Sequence, residues 1–66
     1  MKLIAKYNNQ TFEIVEDLPE VGFYIYAFDS LGKNTHDHLQ DTEQKAKECA
    51  LEEFVVPLDF WTSIPE

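Results

Sequence analysis

Sixty-six residues with thirteen acidic side chains, five lysines and no arginine carry a formal charge of −8. A chain of this length is one domain and buries only roughly 60% of the surface its unfolded form exposes. With so few cations to displace counterions, direct binding of DNA, RNA or anionic lipid is excluded as a main activity, while a basic partner is left open.

Hydrophobic residues make up 44% of the chain and aromatics 14%, which can complete a small core if the aromatics of residues 23–28 and 54–61 turn inward. Cys49 is the only cysteine, so neither a disulfide framework nor a four-cysteine metal site can form, and a reducing, cytoplasmic setting is expected. The opening MKLIAKYNNQ, its apolar stretch broken by Lys6, reads as neither signal peptide nor membrane span. The acidity itself suits a small bacterial-type protein that stays soluble by charge.

Residues 2–7 (KLIAKY) and 11–16 (TFEIVE) alternate, and Asn8-Asn9-Gln10 between them tolerates the positive φ of tight hairpin turns, which predicts a first β-hairpin. Asp17-Leu18-Pro19-Glu20 reads as a turn, with Gly22 loosening the backbone before the next strand. Residues 23–29 (FYIYAFD) are apolar on both alternating sets, Phe23, Ile25 and Ala27 against Tyr24, Tyr26 and Phe28. That is the pattern of a core strand covered on both faces or lying at a contact surface. Ser30 to Asn34 makes a second turn, and Thr35 to Gln40 forms a polar fourth strand suited to a sheet edge.

Asp41 stands three residues before Gln44, the spacing of a capping box, so a helix is expected to begin there. Ala46, Cys49, Ala50 and Phe54 fall on one stripe at helical spacing, opposite Lys45, Glu48 and Glu52, and the small size of the first three lets the helix axis lie close to a sheet. Val56 precedes Pro57 and is pushed out of the helical region, which ends the helix near Phe54 or Val55. Leu58 to Trp61 adds a further turn. The expected fold is α+β: an antiparallel sheet of three to four strands followed by one helix packed on one face (ββββα), with a short aromatic C-terminal latch.

His36 and His38 share a face of the fourth strand, with Asp41 as a possible third ligand, so a weak divalent-metal site is one alternative. Solvated histidines on a polar edge are the commoner case for such a pair. Cys49 on the apolar stripe reads as a small buried hydrophobe and not as a nucleophile. No triad, acid–base pocket or cofactor motif is present, and the chain is expected not to be an enzyme. Glu52 and Glu53 fall in the last helical turn, where carboxylates are unfavourable by a few tenths of a kcal/mol, and with Glu48 beside Glu52 they form an acidic patch. Trp61, and Tyr24 and Tyr26 if their face is uncovered, are either core plugs or interface anchors.

The stretch HDHLQDTEQKAKECALEEFVVPLDFW, His36 to Trp61, resembles the C-terminal half of a group of short uncharacterised bacterial proteins with an LQDT-like cap, an acidic helix and a proline-aromatic tail. Those proteins commonly carry Gly where this chain has Val55, a departure that bears on how the helix ends. Tyr24 to Phe54 also resembles HicB-like antitoxin domains, with their βββα order and short loop into an acidic helix. That likeness implies neutralisation of a basic protein by contact, not catalysis, and the separate DNA-binding helix pair many of them append has no counterpart here.

These features lead to the expectation of a noncatalytic protein-binding module, antitoxin- or immunity-like or a mimic of nucleic-acid charge. In it Glu48, Glu52 and Glu53 steer a basic partner and Trp61, Tyr24 and Tyr26 anchor it. A homodimerising structural domain is the remaining alternative.

Overall fold

The computed structural model describes residues 2–17 and 21–65. Among the described residues, five strands form one antiparallel sheet in the order β4-β3-β2-β1-β5: β1 (Lys2–Tyr7), β2 (Gln10–Glu16), β3 (Phe23–Phe28), β4 (Asn34–Gln40) and β5 (Thr62–Ile64). The helix α1 (Glu43–Phe54) follows β4, and a 3-10 turn over Leu58–Phe60 leads into β5. The expected α+β fold with one helix after four strands is present, and β4 is an edge as its polarity predicts. The fifth strand was not expected; it pairs with β1 through Lys2–Ile64, Leu3–Ser63 and Ile4–Thr62, turning the C-terminal tail into the opposite edge.

The first hairpin turns on Asn8 and Asn9, at φ 54° and 63°, with Tyr7 facing Gln10 across it. Asparagine tolerates this left-handed backbone, and the mirror-image turn it makes matches the twist of the flanking strands. Of the predicted turn at Asp17 to Glu20, residues Leu18, Pro19 and Glu20 lie outside the described residues. Gly22 allows a close approach: a Cβ there would overlap the carbonyl oxygen of Gln40. The β3–β4 turn is held by Asp29, whose Oδ1 accepts from the Leu31 and Lys33 amides, both at 2.9 Å.

Alternation sends Leu3, Ala5, Phe12, Ile14, Ile25 and Ala27 to the helix side, where they are buried with Ala46, Ala50 and Val56. Two clusters result, one around Phe12 and one around Ile14 and Ile25, and Trp61 packs against both. The aromatic tail is therefore a latch across the core, and its Tyr7–Phe60 rings meet edge-on at 5.4 Å. Tyr24 and Tyr26 point to the other face, where no described element covers them. The apolar character of both sets in β3 thus reflects one buried face and one open face.

The helix starts one residue later than the spacing suggests. Thr42, not Asp41, is the N-cap: its backbone is extended and its Oγ1 accepts from the Lys45 amide at 3.1 Å. Asp41 instead lies 3.9 Å from the Lys45 ammonium, and Gln44 donates to Glu48 at 3.2 Å instead of reaching back.

At the other end Val55 occupies the left-handed region at φ 61°, ψ 26°, and its amide donates to Leu51 while that of Val56 donates to Ala50. A β-branched residue in this conformation is strained by about 1–2 kcal/mol, and Val55 is 61% exposed, so little packing offsets it. Val55→Gly is expected to stabilise the fold by about 0.5–1 kcal/mol after the entropy of the added glycine is deducted. Thermal denaturation would show this as a melting temperature raised by a few degrees; an unchanged or lowered one would contradict the strain.

Candidate functional site

Two surfaces carry the residues singled out for binding. On the helix, Lys45 pairs with Asp41 at 3.9 Å and Lys47 with Glu43 at 3.2 Å, both one turn apart. Glu48, Glu52 and Glu53 are exposed, and among the described residues none of them has a cationic partner. The cations of the helix thus neutralise its first half and leave its second half acidic.

Cys49 lies one turn before Glu52 and Glu53 on α1. Burial pushes its thiol up from the ordinary range, Glu53 and Glu52 push it the same way, and a hydrogen bond with Gln40 of β4 partly opposes them. The side chain is partly buried, not fully as its stripe position suggests. A thiol held protonated by burial and two carboxylates is a poor nucleophile at neutral pH. The last turn of α1, which carries Glu52 and Glu53, ends beside β4, its Phe54 ring 5.2 Å from that of His36.

On the open face the Tyr24 and Tyr26 rings stack at 5.8 Å with an interplanar angle of 14°, and Tyr26 meets Phe28 at 6.5 Å. Leu39 lies opposite Tyr24 and Asp37 opposite Tyr26, with Leu39 48% exposed. A Lys2–Glu13 ion pair of 3.3 Å lies further across the same face. The acidic helix and the tyrosine row are therefore on opposite sides of the sheet, and a flat partner cannot touch both. Trp61 belongs to neither surface, since its half-buried ring faces the core and its indole Nε1 is buried without an acceptor among the described residues.

His36 and His38 do share a face, but it is the helix side, where both rings pack near Phe54 with centroids at 5.2 and 6.2 Å. Asp41 is drawn to Lys45, and among the described residues no three His, Cys, Asp or Glu side chains converge as a metal site would need. A cleft of about 490 Å³ between the Asn8–Asn9 and Asp29–Gly32 turns has Lys6, Tyr7 and Asp29 as its ionisable lining residues. A smaller depression of about 300 Å³ lies at β4, lined by Tyr24, Asp37, His38 and Leu39. Its position at the sheet edge was invisible in the sequence, because it depends on which face of β3 the helix leaves open.

Among the described residues, no helix is long and apolar enough to cross a membrane. Comparison with protein-family models, curated proteins and solved structures finds no match to this chain.

Proposed function

We propose that this chain is a noncatalytic protein-binding domain that meets a basic partner through the acidic flank of α1, and that it works in the cytoplasm of a bacterial cell. The observation that carries this is the uneven pairing of the helix: its two lysines are engaged by Asp41 and Glu43, while Glu48, Glu52 and Glu53 stand exposed without cations among the described residues. Carboxylates left unneutralised near a helix C-terminus raise the energy of the free protein slightly, and a basic surface relieves that cost. Long-range attraction by a net charge of −8 also speeds encounter with such a partner. Neutralising a basic toxin by contact is one specific form of this activity.

A pull-down from the native host at low and high salt, with wild type beside a Glu52→Lys, Glu53→Lys double variant, tests it. A basic protein retained only by wild type and released by salt is the expected result. Capture of the same proteins by both forms, or of none by either, would contradict it.

A further inference from the structure

The tyrosine row and the acidic helix lie on opposite faces of the sheet, and β4 is the edge next to the tyrosines of β3. The hydrogen-bond phase of the sheet determines which backbone groups of β4 are open. A two-residue turn closes on a hydrogen-bonded pair, here Tyr7 and Gln10, and bonded and non-bonded pairs alternate from there across the ladder. The Asp17 amide donating to Gly22 and the Asp29 amide donating to Lys33, both at 2.9 Å, are in that phase. His36, His38 and Gln40 therefore bond inward to Ala27, Ile25 and Phe23. The N–H and C=O groups of Asp37 and Leu39 point away from β3, and no strand lies beyond them among the described residues.

Beside those open groups lies the depression lined by Tyr24, Asp37, His38 and Leu39. The strand NTHDHLQ contains neither proline nor lysine, the residues that commonly blunt an exposed edge. Asp37 borders it on the open face, and on the helix side the last turn of α1, which carries Glu52 and Glu53, ends beside β4 with its Phe54 ring 5.2 Å from that of His36. Such an edge repels a second copy of a chain with charge −8 and is complementary to a cationic one.

We propose that β4 takes up an extended, lysine- or arginine-bearing segment of a protein partner as a sixth strand, hydrogen-bonded to the backbone of Asp37 and Leu39. This rests on the basic-partner function proposed above and gives it a geometry: a strand at this edge sends alternate side chains to the two faces, toward Asp37 and the tyrosines on one and toward the helix side, where the last turn of α1 carries Glu52 and Glu53, on the other.

The probe is a capped hexapeptide of alternating lysine and valine, compared with the same peptide N-methylated at every residue, which keeps the charge and removes the amide donors. The unmethylated peptide is expected to bind about tenfold tighter or more, with slowed amide exchange at Asp37 and Leu39. Equal affinity for both peptides, with NMR shifts confined to Glu48, Glu52 and Glu53, would overturn strand addition and leave the acidic flank as the contact surface. Binding of neither would overturn both proposals. A doubled mass without peptide, with Asp37 and Leu39 already protected, would overturn the choice of occupant, because a second copy then closes the edge.

Discussion

Phe12→Ala is expected to leave the domain largely unfolded at room temperature. Phe12 is 0% exposed and sits among Ala5, Ala27, Ala50 and Val56, with the Phe54 ring 5.1 Å away. Removing a buried phenylalanine costs about 3–5 kcal/mol, and the upper end applies where neighbours cannot move in to fill the cavity. Three of the neighbours here are alanines, two on strands already fixed by ladder hydrogen bonds, so collapse is limited. A domain of this size has about 3–10 kcal/mol of stability in all. Urea unfolding followed by circular dichroism would show the pre-transition baseline lost or nearly so; a loss below about 1 kcal/mol would mean that Phe12 is not the centre of the core.

Ala50→Leu has the second-largest expected effect and acts in the opposite sense, by overfilling. Ala46 and Ala50 are both 0% exposed, and their small side chains let α1 lie against β2, β3 and β4. A leucine at position 50 would have to push the helix away from Ala5, Ala27 and Phe12 or displace Phe54. Overpacking of this kind costs about 1–3 kcal/mol. The same denaturation experiment should show a lowered midpoint with the slope unchanged, since the unfolded chain exposes nearly the same surface. Full retention of stability would contradict the close helix–sheet approach.

Most of the fold is legible in local patterns because its elements are governed by local rules. The period-2 alternation of KLIAKY and TFEIVE and the Asn8–Asn9 turn specify a hairpin without help from the rest of the chain. Ala46 and Ala50 likewise show which side of the helix is buried. Three features depended on tertiary context. Thr62 to Ile64 is too short to show a period and becomes a strand only by pairing with β1. Asp41 and Thr42 are both good capping residues, and the backbone path out of β4 chose between them. Tyr24 and Tyr26 carry aromatic rings that suit a core as well as a contact surface, so composition could not say which set would be covered.

The acidic patch was readable for a simpler reason, since Lys45 and Lys47 each follow an acid by four residues and Glu48, Glu52 and Glu53 have no lysine so placed. What could not be read was its position relative to the tyrosines. The opposite faces of the sheet separate them, and the packing of Phe54 near His36 and His38 shows the last turn of the helix returning to β4.

The most direct test of the account is calorimetric titration of the basic protein retained in the pull-down with wild type and with the Glu52→Lys, Glu53→Lys variant, each at low and high salt. Reversing two exposed charges should weaken binding by about tenfold at low salt, with the gap narrowing as salt screens it. Equal affinity for both forms, with no dependence on salt, would contradict the claim that this acidic flank is where the partner binds.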